Sequence, residues 1–148
     1  DDPVKVILMP SDLNGEDGFL NKPYYEVITG TDLGIFPSFY EPWGYTPLES
    51  ISYGVPAISS DLAGFGISIK EVCGNSCPST YLLKRRNRKE ETIVKNLTKS
   101  LASFIHKPQK TLLAERSHAK ALATHYDWQH FYAYYLKAYQ HALKHRPS

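Results

Sequence analysis

Short apolar runs bounded by proline, with helix-like segments between them, most constrain how this chain can fold. Three of these runs are residues 4–9, 33–36 and 57–60. Such runs are typical of strands that are buried on both faces of a parallel sheet. A further strand is predicted near residues 81–83. Because the predicted strands alternate with helices, the sequence indicates an α/β fold.

Residues 46–54 carry all the signals of a helix with defined ends. Thr46 is a good N-cap, Pro47 suits the first helical position, and Glu49 completes a capping box three residues after the cap. Gly54 can adopt the left-handed conformation that ends a helix. We therefore expect a helix that begins after Thr46 and ends at Gly54.

The other helices are predicted from the spacing of apolar residues. A short helix covers residues 24–28 and is closed by Gly30, whereas residues 64–66, Gly-Phe-Gly, are predicted to form a flexible turn. Three longer helices are predicted at residues 89–106, 108–125 and 128–145. The last of them has an apolar face that must be covered. This face consists of Trp128, Phe131, Tyr135, Tyr139 and Ala142.

Composition limits the class of protein. With 148 residues, 42% of them hydrophobic, the chain can bury one ordinary core. The first 74 residues hold 11 acidic and 3 basic side chains, and the remainder hold 4 and 14. We expect a sheet-containing part at residues 1–84 and a helical part of the same domain at residues 85–148. No apolar run approaches the roughly 20 residues that span a bilayer, and no signal segment is visible, so a cytoplasmic location without membrane contact is expected.

Three further patterns favour an ordinary structural role. Cys73 and Cys77 lack a second pair of ligands nearby, so no metal site is expected. The basic run at residues 84–89 contains no aromatic side chain, which favours a solvated surface over nucleic-acid binding. Contact of this run with phosphate or glucan is the minor alternative. His141 and His145 suit the C-terminal end of a helix.

The loop at residues 36–49 is the candidate functional site. It leaves the carboxyl end of a predicted strand and enters a helix N-terminus, which is where parallel α/β sheets bind ligands. The free N–H groups of a first helical turn attract phosphate, and Gly44 allows close approach of the backbone. Glu41 is expected to face the reacting ligand, and Glu49 is expected to hold a neutral hydroxyl.

A purely structural interpretation of this loop stays open on residue types alone. Thr46 and Glu49 would then form only a capping box, and Trp43 would be a core residue. The prolines and Gly44 would shape a tight connection. Residue types by themselves do not separate this interpretation from a ligand-binding loop.

The loop resembles a known enzyme family. Residues 41–47, Glu-Pro-Trp-Gly-Tyr-Thr-Pro, are preceded by Phe-Pro-Ser and followed by Gly-Val-Pro and the Gly-Phe-Gly of residues 64–66. This combination resembles glycogen synthase of the animal and fungal type, a family of retaining glycosyltransferases with two Rossmann-like domains in the GT-B arrangement. The resemblance implies a partial Rossmann-like parallel sheet, the C-terminal half of a GT-B domain, followed by C-terminal helices.

The resemblance also implies roles for individual residues. Glu41 would be the catalytic residue that holds the hydroxyls of the donor glucose, and Glu49 would bind the ribose hydroxyls. The remaining donor contacts would come from the backbone of Trp43, Gly44 and Tyr45, from Thr46 at the distal phosphate, and from Tyr24 stacked on the base.

The implied reaction is transfer of glucose from a nucleotide sugar to the 4-hydroxyl end of an α-1,4-glucan, with retention and without a cofactor or metal. UDP-glucose is favoured over ADP-glucose as the donor. The family's N-terminal domain and its diphosphate-binding Arg and Lys do not match any part of this sequence, so the isolated chain is expected to be inactive. Only Lys110 and Arg116 match the arginine cluster of regulated members, so activation by a hexose phosphate is not expected.

The sequence leaves two other functions open. One is a retaining GT-B transferase with another donor or acceptor. An assay of the full-length protein with a panel of nucleotide sugars distinguishes it from a glycogen synthase. The other is a non-catalytic glucan-binding or regulatory module, which Glu41→Ala in the full-length protein distinguishes. A bare sheet edge beside residues 4–9 is also expected to favour self-association into a homo-oligomer or aggregates.

Overall fold

The structure is a computed structural model and describes residues 3–9, 11–74 and 76–145. Helices and strands alternate in the first part of the chain: α1 (Tyr24–Thr29), β1 (Gly34–Phe36), α2 (Tyr45–Ser52), β2 (Ala57–Ser60), α3 (Gly64–Cys73) and β3 (Thr80–Leu83). The second part is helical: α4 (Glu90–Ile105), α5 (Gln109–Ala123), a 3-10 turn at Thr124–Tyr126, and α6 (Trp128–Lys144).

The strands form a parallel sheet. Among the described residues it contains three strands in the order β1-β2-β3, with Ile35 opposite Ile58 and Ile58 opposite Tyr81. Parallel neighbours require crossover connections, which α2 and α3 provide. The α/β prediction is therefore confirmed, and the strands near residues 33–36, 57–60 and 81–83 begin within one residue of their predicted starts.

The core lies on both faces of the sheet. Neighbouring residues of a strand point to opposite faces, so Ala57 and Ile58 belong to different apolar clusters. On one face, Ala57 packs with residues of α2, α3 and α5, among them Ile51 and Phe65. On the other face, Ile58 packs with Leu83 and with side chains of α4. Both faces of the sheet are thus covered by helices.

The predicted strand at residues 4–9 is wrong. This segment has no regular secondary structure, and the side chains of Val6 and Leu8 are 90% and 82% exposed. A buried strand needs a hydrogen-bonded neighbour and apolar cover on its faces. Among the described residues the sheet consists of β1, β2 and β3, so residues 4–9 are not one of its strands.

The flexible turn predicted at residues 64–66 is also wrong, because α3 begins at Gly64. A Cβ atom on Gly66 would lie 2.1 Å from the carbonyl oxygen of Ser60. No side chain fits at that distance, so Gly66 permits close packing of α3 on the end of β2. The glycine here serves packing and not chain flexibility.

Helix α2 differs from its prediction at its start. Its N-cap is Gly44, with a φ of 114°, and no side chain caps it, so Thr46 is already inside the helix and the capping box with Glu49 does not form. The left-handed Gly44 starts the helix earlier than Thr46 would. The predicted end is confirmed, since Gly54 has a φ of 76° and donates its N–H to the carbonyl of Ile51 at 2.9 Å.

The predicted bounds of α4, α5 and α6 agree with the structure within two residues. No described residue of α6 is buried, although Phe131 packs against the cluster around Phe65. Most of the aromatic face of α6 is therefore open to solvent. No helix in the described ranges combines the length and the apolar character needed to cross a bilayer.

Candidate functional site

The loop between β1 and α2 is fixed to the start of α3 by backbone hydrogen bonds. Gly64 donates its N–H to the carbonyl of Glu41 at 3.1 Å, and Phe65 donates to the carbonyl of Trp43 at 2.6 Å. The Ser60 hydroxyl donates to the carbonyl of Ser38 at 2.6 Å. The first part of the loop is therefore held in place by the end of β2 and the start of α3.

Gly44 brings Glu41 to the first turn of α2. Its φ of 114° is accessible mainly to glycine, and a Cβ atom at this position would lie 3.3 Å from Oε2 of Glu41. The half-buried Glu41 carboxylate thus lies beside the main chain at the point where α2 begins. The carboxylate and the helix N-terminus can contact one small ligand together.

Ser38 holds the Glu41 carboxylate. Its hydroxyl donates a hydrogen bond to Oε2 of Glu41 at 2.9 Å. An ionised carboxylate has about four acceptor sites, so it can still accept hydrogen bonds from a ligand's hydroxyl groups. The sequence motif contains Ser38 without indicating a role for it, and its three-residue spacing from Glu41 is the local signal for this contact.

The first turn of α2 is open to solvent. Tyr45 and Thr46 are exposed, and Pro47 has no N–H. The backbone N–H groups at the start of a helix have no partner within the helix, and the helix dipole makes this end positive. The N–H groups of Tyr45 and Thr46 can therefore donate to an anionic group in front of Gly44.

Glu49 lies among tyrosines. The hydroxyl of Tyr25 donates to Oε1 of Glu49 at 3.4 Å, and the Tyr25 ring stacks on Tyr53 with centroids 4.9 Å apart. Tyr24 meets Tyr25 edge to face at 5.2 Å. The negative charge of Glu49 raises the pKa of Tyr25 above its usual value, and burial followed by the same charge raises the pKa of Tyr24.

The structure therefore places Tyr24 close enough to Glu49 to feel its charge. Sequence reasoning did not assign a role to Tyr25, which contacts Glu49 directly. These residues lie 24 positions apart along the chain, so no local pattern could have identified the contact.

The side chain of Trp43 is half-buried and packs against the core. Its ring lies edge to face with Phe65, Tyr126 and Phe131, with centroids between 5.8 and 6.3 Å apart. The half-buried ring anchors the loop between Glu41 and Gly44 to α3 and α6.

Arg85 is a cation beside the loop. Its guanidinium donates to the carbonyl of Pro37, lies 5.5 Å from the centre of the Phe39 ring, and is 3.6 Å from Glu90. Its Nε atom is buried without a hydrogen-bond partner among the described residues. The basic run at residues 84–89 was predicted to be solvated, and this is wrong for Arg85, because its side chain packs onto the loop.

Arg116 is engaged by the backbone. Its guanidinium donates to the carbonyls of Thr31 at 2.8 Å and Thr29 at 3.1 Å, whereas Lys110 is exposed. Arg116 thus joins α5 to the end of α1. In the part of the chain that the structure describes, no three His, Cys, Asp or Glu side chains are grouped so that they could share a metal ion.

Among solved structures, the chain is similar to WaaG, a glycosyltransferase involved in lipopolysaccharide biosynthesis. The TM-score is 0.48 with 21% sequence identity, over 67% of this chain and 24% of that chain.

Comparison with protein families and curated proteins gives a more specific result. The family model described as "Glycogen synthase" matches residues 1–147. The chain is 37% identical over 142 residues to liver glycogen [starch] synthase of Homo sapiens, and 35% identical over 144 residues to glycogen [starch] synthase of Neurospora crassa. These matches cover 95% and 97% of this chain but 20% of each relative, so the chain spans about one fifth of their length. The chain belongs to the glycogen synthase family.

Proposed function

We propose that this chain is the donor-binding part of a cytoplasmic glycogen synthase, which transfers glucose from UDP-glucose to the 4-hydroxyl end of an α-1,4-glucan with retention at the anomeric carbon. Family membership supports this proposal. The observation that carries it is the position of the Glu41 carboxylate, next to Gly44 at the N-terminus of α2. A carboxylate and a positive helix end side by side suit a ligand that has hydroxyl groups at one end and phosphate at the other.

The diphosphate of the donor binds at the start of α2. The N–H groups of Tyr45 and Thr46 donate to the distal phosphate, and the Thr46 hydroxyl adds a further donor. These groups are fixed in the helix before the donor arrives, so they stabilise the charge that develops on the leaving diphosphate without reorganisation. No metal ion is required for this contact.

The glucose of the donor binds against Glu41. Its hydroxyl groups donate to the carboxylate, and charge-assisted hydrogen bonds of this kind are stronger than neutral ones. Ser38 keeps the carboxylate in one orientation through its hydrogen bond to Oε2. Fixing the sugar ring in this way orients the anomeric carbon toward the acceptor.

The nucleoside binds on the α1 side of the loop. The ribose hydroxyls donate to Glu49, whose carboxylate can accept them in addition to the Tyr25 hydroxyl. Tyr24 stacks on the base, and such stacking contributes about 1–3 kcal/mol in nucleic-acid binders. Tyr25 acts as a positioning residue for Glu49.

Transfer also requires an acceptor held against the donor. We propose that other parts of the full-length protein bind the glucan and supply cations for the diphosphate. Catalysis depends on holding both substrates in one geometry, so the 148-residue chain alone is expected to bind the donor weakly and to transfer no glucose.

The experiment is transfer of radiolabelled glucose to glycogen by the full-length protein, with UDP-glucose, ADP-glucose and other nucleotide sugars compared. Glu41→Gln is expected to lower kcat by about 10²-fold or more, since it removes the charge that holds the donor glucose. Glu91→Gln, at an exposed carboxylate of α4, is the matched control and is expected to keep the parent rate. Parent activity in Glu41→Gln would contradict the catalytic role, and preference for another sugar donor would contradict the substrate.

A further inference from the structure

A cavity lies between α3 and β3, apart from the candidate site described above. None of its lining residues belongs to the loop at residues 36–49. Its volume is about 640 Å³. Alternation along a strand explains how it is built. Tyr81 and Leu83 pack on the α4 side of the sheet, whereas Thr80, Leu82 and Lys84 line the cavity on the α3 side.

The cavity is lined by more cations than anions. Lys70 of α3 lines it together with Lys84 and Arg86, which follow β3. Among the residues that the structure describes, none of these three cations forms an ion pair. The acidic residue of the lining is Asp61, whose Oδ1 accepts the backbone N–H of Arg85 at 2.7 Å and that of Arg86 at 3.1 Å. The net charge of these groups favours an anionic ligand.

A buried hydroxyl in the lining points to the same kind of ligand. Thr80 is only 3% exposed, and its Oγ1 has no hydrogen-bond partner within the described ranges. Buried polar groups almost always have a partner, and leaving one unpaired is costly. An oxygen atom of a ligand in the cavity would accept the hydrogen bond that Thr80 can donate.

We propose that this cavity binds a small organic phosphate monoester. The phosphoryl group is held by Lys70, Lys84 and Arg86, and its oxygen accepts the Thr80 hydroxyl. The organic part lies against the apolar side of the lining, which includes Leu82. A cavity of about 640 Å³ has the size of small-molecule sites and is larger than a phosphate ion needs. The proposal does not depend on the donor site at Glu41.

The first test is calorimetric titration of the full-length protein with glycerol phosphate and with inorganic phosphate. The variant Lys84→Ala/Arg86→Ala is expected to bind glycerol phosphate at least about tenfold more weakly than the parent, since it loses two charge-assisted contacts. The control Lys95→Ala/Lys99→Ala removes the same charge from exposed positions of α4 and is expected to bind within about twofold of the parent.

Two results would overturn the proposal. One is absence of saturable binding of glycerol phosphate to the parent protein. The other is equal weakening in both double variants, which would show a general effect of net charge. UDP affinity is measured on the same proteins and is expected to stay unchanged in Lys84→Ala/Arg86→Ala. Loss of UDP binding there would show that this cavity is part of the donor site, so failure of this inference is distinguishable from failure of the proposed function.

The second test uses Thr80→Val, which removes the hydroxyl and keeps the shape of the side chain. Without ligand, this variant is expected to unfold at the parent's temperature or above it, because it removes an unpaired buried hydroxyl. It is also expected to bind glycerol phosphate several-fold more weakly. A lower unfolding temperature together with parent affinity would show that Thr80 serves the fold, and would overturn its role as a ligand donor.

Discussion

Gly64 and Pro42 are packed so closely that a Cβ atom on Gly64 would lie 2.2 Å from the carbonyl oxygen of Pro42. The N–H of Gly64 also donates to the carbonyl of Glu41 at 3.1 Å. The loop that carries Glu41 and the first turn of α3 therefore form one packed unit. The position of the Glu41 carboxylate depends on a residue outside its own loop.

Gly64→Ala is expected to displace this loop, because no side chain fits against the Pro42 carbonyl. We expect the free energy of unfolding to fall by about 1–3 kcal/mol, as for other overpacked sites, and the affinity for UDP to fall with it. Urea unfolding and UDP titration measure the two effects. Gly30→Ala is the control, since a Cβ atom there would lie an ordinary 3.4 Å from Val27. Equal stability of the two variants would contradict the packing argument.

Glu49→Gln is expected to change both the neighbouring tyrosines and donor binding. The charge of Glu49 raises the pKa of Tyr25 and contributes to the raised pKa of Tyr24, so both pKa values should fall toward the ordinary value. NMR titration of labelled tyrosine measures this change. The KM for the nucleotide sugar should rise by about tenfold, as expected from the loss of a hydrogen bond to a charged group. An unchanged KM would contradict the proposal that Glu49 binds the ribose.

The ion pair between Lys107 and Glu115 is a structural feature of the core. Glu115 is only 6% exposed and also accepts a hydrogen bond from the Tyr81 hydroxyl. Lys107→Met leaves the buried carboxylate without its cation and is expected to lower the free energy of unfolding by about 3–5 kcal/mol. Adding Glu115→Leu to this variant should restore much of the loss. Chemical unfolding of both variants measures these changes. If Lys107→Met were as stable as the parent, the prediction would be contradicted.

Alkaline pH is expected to destabilise the fold through Cys73. Burial, followed by contact with the Cys77 thiol, raises the pKa of Cys73 from 9.0 to about 12. Above pH 9 the unfolded chain loses this proton while the folded chain keeps it, so this contribution to stability is full below pH 9 and is lost as pH rises toward 12.

The measurement is the free energy of unfolding between pH 9 and 10, where the thiol ionises in the unfolded chain before most tyrosines do. Cys73→Ala is expected to show a smaller decrease with pH over this range than the parent. Identical slopes for the two proteins would contradict a raised pKa at Cys73.

The parts of the fold with strong local signals were predictable from the sequence. Strands β1, β2 and β3 are short apolar runs, and Pro108 and Asp127 do precede α5 and α6. The start of α3 was not predictable, because the reason for its two glycines is contact with Pro42 and Ser60, which lie elsewhere in the sequence. The start of α2 was not predictable either, because the left-handed Gly44 begins the helix without a capping box at Thr46.

The candidate site was predictable only in part. The loop position follows from a strand that ends before a helix start, and the two carboxylates follow from residue type. The contacts that orient them come from other segments: Gly64 holds the Glu41 backbone, and Tyr25 contacts Glu49. Contacts between distant segments depend on packing, which no local pattern in a single sequence reveals.

A crystal structure of the full-length protein with bound UDP-glucose tests the central claim most directly. The account predicts the diphosphate within hydrogen-bond distance of the N–H groups of Tyr45 and Thr46, with glucose hydroxyls on Glu41 and the ribose on Glu49. Nucleotide sugar bound elsewhere, with the first turn of α2 and the Glu41 carboxylate free of ligand, would contradict it.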